Sequence, residues 1–208
     1  MYPKSAVTID NILQAAALLF VDRNYADVSM DDIAESANMT KGALYHHFQS
    51  KEKLYVALML NTLEEINHHQ EASFASLKGS CREKMERFLC NFMTLPELSL
   101  RLLRLFRRDI NIFKNPTRQR LIEAYQATVP LRIEKLIQEG IASGELQHYD
   151  ARLLSWLHVA MVEVMLSGYG KQMMGEEARA TLLITLFFDG LSPKATNELE
   201  NELEVLTG

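Results

Sequence analysis

The stretch 29-SMDDIAESANMTKGALYHHFQSKEKL-54 decides the fold. Ser29 followed three residues later by Asp32 is a capping-box pattern, and the two aspartates at 31 and 32 complement the positive end of a helix dipole. A short helix therefore starts after Ser29. Asn38 stands where the chain must turn sharply, and asparagine is among the few residues that tolerate the left-handed conformation at little cost. Thr40 then caps a further helix, KGALYHHF, and Ser50 caps a longer one running from Lys51 to about residue 72. Helix, four-residue turn, helix are the proportions of a helix-turn-helix unit.

Within this stretch, residues 40–54 carry Lys41, Lys51 and Lys53 against Glu52 alone, a local +2 (three minus one) inside a chain of net charge −5. Lysines at a helix N-terminus oppose the dipole by about 0.3–1 kcal/mol each. The conflict disappears if an external anion sits there, since backbone N–H groups, dipole and lysines would all act on it. A DNA phosphate is the natural anion. Gly42 costs about 1 kcal/mol in a helix interior relative to alanine, and its missing side chain lets a partner approach the backbone. Tyr45, His46 and His47 at the far end of the short helix can donate hydrogen bonds to phosphate oxygens. Taken singly, each of these residues is more often a plain solvated side chain; their joint occurrence marks a contact surface.

Outward from this unit the pattern is helical throughout. Ile9, Ile12, Leu13, Ala16, Leu19 and Phe20 recur at helical spacing, predicting an amphipathic helix over 7–23 that ends near Asn24. Downstream, helices are expected at 81–95, 98–113, 117–140 with a kink at Pro130, 150–171, 176–190 and 195–206, the last carrying four glutamates. No alternation bounded by turn signals argues for a sheet, so the fold class is all-α. A head over residues 1–50 and a larger domain over 51–208, with helix 51–72 as connector, fit the length.

Composition narrows the function classes. Hydrophobic residues make up 48% and charged residues 24%, the balance of a folding globular chain. The pI near 5.7 argues against coating nucleic acid by bulk charge. Polar residues interrupt the N-terminal apolar run and the stretch 153–170, so neither export nor a membrane span is expected, and the chain reads as cytoplasmic. Cys81 and Cys90 lie nine residues apart, on opposite faces of one helix and roughly 13 Å apart along its axis, too far to bridge. The adjacent pair His68 and His69 points about 100° apart and makes no metal clip. Neither a catalytic arrangement of Ser, His and acids nor a phosphate-binding glycine loop is present, so no enzyme, cofactor or metal is expected.

Residues 9–59, including 12-ILQAAALLFVDRNY-25 and 40-TKGALYHHFQSKEKL-54, resemble the N-terminal DNA-binding domain of the TetR family of transcriptional regulators, about fifty residues without a gap. The remaining 150 or so match only in helical layout. The resemblance implies a dimeric, all-helical repressor or activator whose first three helices read DNA, the third in the major groove. Carried over by position, Thr40, Lys41, Gly42 and Ala43 fall on the recognition-helix surface. Tyr45, His46 and Lys51 fall on phosphate-contacting positions, Ser29 lies at the start of the second helix, and His47 adjoins them. Two departures stand out: asparagine at 24 and 38, where the family commonly has glycine and asparagine is expected to adopt the same left-handed geometry, and Lys53, where it often has an acid.

The resemblance also implies a pocket in the C-terminal bundle for a small, largely apolar effector. Its candidate lining is Phe88, Phe92, Phe106, Ile110 and Phe113, then Tyr125, Trp156, Met161 and Met165, with Glu163 as a polar anchor. Most such positions are ordinary core. The run 101–120 holds seven basic residues against Asp109, a local +6 (seven minus one), suited to an acidic effector such as an acyl-CoA phosphate, to more DNA, or to plain solvation. Leu153, Leu157, Leu182, Leu183, Leu186 and Phe187 predict wide apolar faces on the last two long helices, which would pair two subunits about a two-fold axis over a palindromic operator. The leading reading is a ligand-responsive repressor released by its effector. The alternatives are a helical interaction adaptor that has lost DNA binding and a bundle enzyme using Glu163 and His158.

Overall fold

The computed structural model describes residues 4–190, and among them every regular element is helical. The helices are α1 (Lys4–Asp22), α2 (Met30–Ser36), α3 (Lys41–His47), α4 (Lys51–Ala75), α5 (Cys81–Met93), α6 (Glu97–Asp109), α7 (Thr117–Thr128), α8 (Pro130–Ala142), α9 (Ala151–Leu166), α10 (Gly168–Met173) and α11 (Glu176–Asp189). Short 3-10 turns stand at Tyr25–Asp27 and Ile110–Ile112. The expected helix over 195–206 lies outside the described residues. No described helix is long and apolar enough to cross a membrane.

Three expectations need correction. Asn24 is extended (φ −77°) and leads into the 3-10 turn, so it does not stand in for a left-handed glycine; Asn38, at φ 52°, does. Pro130 does not kink one helix but starts another, because it has no N–H to donate and its fixed φ suits a first turn. The helix begun by the Asp150 cap stops at Leu166, where Ser167 turns extended and caps α10 through the Gly170 N–H.

The chain forms two compact units, one of Met1–Asn67 with Leu95–Tyr125, the other of His68–Thr94 with Gln126–Gly208. Compactness groups α6 with the head, because it packs on α1. In the first unit Ile12, Ala16 and Phe20 of α1, Ile33 of α2, Leu44 of α3 and Leu54 of α4 are wholly buried. Each large side chain among them contributes about 1.5–3 kcal/mol of burial. Ile9 and Leu19, at the edges of the predicted stripe, are half-buried. Tyr55 edges onto Phe20 and Tyr25 and stacks on Phe113. Its hydroxyl donates to buried Asp109 (3.0 Å), which Arg108 also holds by two bonds. Burial, then the Asp109 charge, push the Tyr55 hydroxyl pKa well up, so it stays a donor.

In the second unit α5, α8, α9 and α11 pack together around Met85, Phe88, Ile133, Ile137, Leu183 and Phe187. Ser80 opens α5 with a full capping box to Glu83. Gly140 lets α8 approach α5 closely: a Cβ there would stand 2.7 Å from the Cys81 Sγ. Cys81 is buried and Cys90 exposed, both on α5, and the Cys81 thiol donates to the Leu136 carbonyl (3.1 Å).

Candidate nucleic-acid interface

The head presents α3 on the outside. Only Leu44 of its seven residues is buried, anchoring the helix inward. The Thr40 hydroxyl accepts from the Ala43 N–H (3.2 Å) and so starts the helix. Asn38, in the left-handed region, makes the turn that brings α3 against α2. Thr40, Lys41, Gly42, Ala43, Tyr45 and His46 are exposed, and His47 is half-buried with its ring edge-on to His46. A Cβ built on Gly42 would meet nothing within 4 Å, and its φ is an ordinary one. Nothing inside the described molecule calls for glycine at that position.

Beside α3 lies an open groove of about 430 Å³ whose walls include Ser29, Lys41, Tyr45 and Lys51, four of the nine residues singled out from sequence. Asp31, Gln49 and Ser50 share it. Ser29 caps α2 in the expected box: its hydroxyl accepts from the Asp32 N–H, while the Asp32 carboxylate accepts from the Ser29 N–H (2.7 Å). The Ser29 hydroxyl also donates to the Asp32 carboxylate (2.7 Å), and that bond, followed by the one from the Ser29 N–H, holds the Asp32 carboxyl below the usual carboxylate range.

The lysines behave differently from the expectation that an external anion is needed to explain them. Lys51 Nζ donates to the carbonyl oxygens of Tyr25 (2.7 Å), Val28 (2.8 Å) and Ala26 (3.4 Å), and lies 4.5 Å from the centre of the Tyr25 ring. Its charge is answered by carbonyl dipoles at the end of the 3-10 turn, which outweigh the unfavourable dipole of its own helix. Lys53 Nζ bonds the Gln49 side chain one turn back. Lys41 reaches across from α3 to α2, 2.7 and 2.8 Å from the two carboxylate oxygens of Asp31. That bond and charge raise the Lys41 pKa. Both partners are more than half exposed, so the pair is weak and exchangeable. Sequence inspection missed Asp31 as a partner because ten positions and a turn separate it from Lys41.

The ten candidate effector residues fall in both units. Phe106 and Tyr125 stack on each other (5.1 Å), and Phe113 belongs to the aromatic cluster around Tyr55, with Ile110 half-buried nearby in sequence. In the other unit Phe88 packs edge-on to Phe74, and Phe92 is buried. Trp156, Met161, Glu163 and Met165 are half-buried along α9, Met165 facing a narrow apolar crevice that Arg179 also lines. Arg179 is buried and donates to the Met165 carbonyl (2.6 Å) at the end of α9. His158 is buried against the Phe187 ring and lies about 140° around α9 from Glu163, so the two cannot share one site as a catalytic pair. Burial pushes the His158 pKa down to about 4. Among the described residues no grouping of His, Cys, Asp and Glu could hold a metal.

The basic run 101–120 does not form one cationic face. Arg101 bonds the Val21 carbonyl, Arg104 faces Glu97, Arg108 is spent on Asp109 and Arg118 bonds Asn111.

Comparison with known proteins agrees with this geometry. The family pattern of bacterial regulatory proteins, tetR family, matches residues 12–58. The uncharacterised HTH-type transcriptional regulator YhgD of Bacillus subtilis is 26% identical over 184 residues, 87% of this chain and 95% of that protein. Among solved structures, AibR in complex with isovaleryl coenzyme A and operator DNA superposes with a TM-score of 0.74 at 20% identity, covering 87% of this chain and 98% of that one. FadR from Bacillus subtilis in complex with stearoyl-CoA gives 0.73 at 19% identity, with coverage of 87% and 98%. The last two likenesses speak to the fold. The helix-turn-helix head is thus similar to that of the tetR family of bacterial regulatory proteins over residues 12–58, and a transcriptional regulator is similar along nearly its whole length.

Proposed function

We propose that this protein is a ligand-responsive repressor that binds a palindromic operator as a homodimer and is released by a small, largely apolar effector. The observation that carries the reading is the groove shared by Ser29, Lys41, Tyr45 and Lys51 beside an exposed α3. Thr40, Lys41, Gly42 and Ala43 would meet the major groove, with Ser29, Tyr45, His46 and His47 on the flanking phosphates. Lys51 would act mainly by shaping the turn at 25–28 against which a phosphate rests.

Dimerisation is supported by the outer faces of α9 and α11. Leu153, Leu157 and Val164, separated by four and then seven positions, are at least half exposed on α9, and Leu186 matches them on α11. Leu183 and Phe187, expected there too, are buried in the unit's own core. The two recognition helices of such a dimer would require operator half-sites spaced by one helical turn of DNA, about 34 Å, or a multiple of it.

For the effector, the acyl-CoA thioesters named in the AibR and FadR complexes support an acyl chain as the apolar part. The experiment is enrichment of duplexes from a random library, followed by titration of the best duplex with isovaleryl-CoA and stearoyl-CoA. Enrichment of a palindrome and its release by one thioester is the expected result. An enriched site without dyad symmetry refutes the dimeric operator, and failure of both thioesters to release DNA refutes the acyl assignment.

A further inference from the structure

Asp31 puts a carboxylate on the wall of the groove that phosphates are proposed to enter. Such a charge repels every DNA backbone alike, so its presence needs a reason. The α2 capping bonds do not supply one, since Asp32 makes them with Ser29, and an acid in the first turn favours the α2 dipole whether or not it touches α3. What Asp31 does instead is hold Lys41, the first residue of α3, through both carboxylate oxygens at 2.7 and 2.8 Å.

We propose that Asp31 is a specificity-determining positioning residue: it occupies Lys41 when the head meets arbitrary DNA and yields it only to a better acceptor on the correct site. The proposal rests on the DNA-binding reading above. A lone phosphate gains little from Lys41, because freeing the ammonium leaves an uncompensated carboxylate beside the backbone. A guanine edge offers two acceptors, O6 and N7, in the major groove, where the first turn of α3 would lie. Asp31 therefore weakens non-specific binding more than specific binding. More than half of each side chain is exposed, so the exchange needs no rearrangement of the core.

The test compares the full-length wild type with Asp31→Asn and Asp31→Glu, using the duplex enriched by the wild type and a scrambled duplex over a salt series. Asp31→Asn is expected to bind the scrambled duplex about three- to tenfold tighter, from loss of one charge repulsion near the surface. Its salt slope should steepen by about 0.9, one added phosphate contact. Affinity for the enriched duplex should change less, so discrimination falls, and Asp31→Glu should restore it. A merely structural role would lower the melting temperature and weaken both duplexes without steepening the slope, which overturns the proposal. Equal slopes and equal discrimination in Asp31→Asn overturn it too. A wild type that enriches no duplex overturns the DNA-binding reading itself.

Discussion

Replacing Gly42 with alanine should move stability and DNA affinity in opposite directions. A glycine in a helix interior costs about 1 kcal/mol relative to alanine. Gly42 is the second residue of the seven-residue α3, where only part of that is recovered, so the gain is roughly 0.5 kcal/mol. The new methyl would meet nothing within 4 Å, so no packing loss offsets the gain. For a chain of this size, melting should rise by about 1–2 °C. On DNA the same methyl would enter the space through which the α3 backbone approaches its partner. A crowded methyl costs about 1–3 kcal/mol, or roughly five- to 150-fold in affinity. The assays are calorimetric melting and fluorescence anisotropy with the duplex enriched by the wild type. An alanine variant that melts higher yet binds as tightly as wild type would refute the close approach, leaving Gly42 with no assigned role.

Gly140→Ala should behave oppositely, because its Cβ would lie 2.7 and 2.9 Å from Cys81 atoms and 3.0 Å from Leu146. A net loss of about 1–2 kcal/mol and a melting point lower by several degrees are expected; unchanged melting would mean α5 and α8 separate freely. Lys51→Met keeps the stem but removes the donors to the Tyr25 and Val28 carbonyls, at a cost of about 1–2 kcal/mol by urea denaturation. An unchanged midpoint would return Lys51 to the role of a plain phosphate contact. His158 has a folded pKa of about 4, below the ordinary 6.5, so the unfolded chain takes up its proton first. Its contribution is complete above pH 6.5 and is lost as pH falls from there to about 4, on the order of 3 kcal/mol. His158→Leu should flatten the stability profile across that window, and an unaltered slope would refute the assignment. Leu157→Lys on the exposed face of α9 should give a monomer by light scattering; a persistent dimer would move the interface elsewhere.

Local chemistry made the head legible. The Ser29 box, the Thr40 cap, left-handed Asn38 and the buried stripe of α1 each depend on residues within a turn or two of one another, and spacing alone reveals them. Where a break depends on one residue's geometry, as at Pro130 and Ser167, one expected helix proved to be two. The effector residues were less legible, because an aromatic or methionine at helical spacing looks the same whether it packs or lines a pocket. Phe113 packs on Tyr55, Phe88 on Phe74, and only Met165 faces the Arg179 crevice.

The sequence by itself determined an all-helical chain and a helix-turn-helix with its exposed residues, since both follow from periodicity and short-range capping. Only the tertiary structure decided what the charged residues face. Lys51 is turned onto three carbonyls 23 to 26 positions away, Lys41 onto an aspartate ten positions back, and the 101–120 arginines onto partners that divide them. Charge acts through space, and a linear chain does not say which opposite charge or dipole folding will bring within 3 Å.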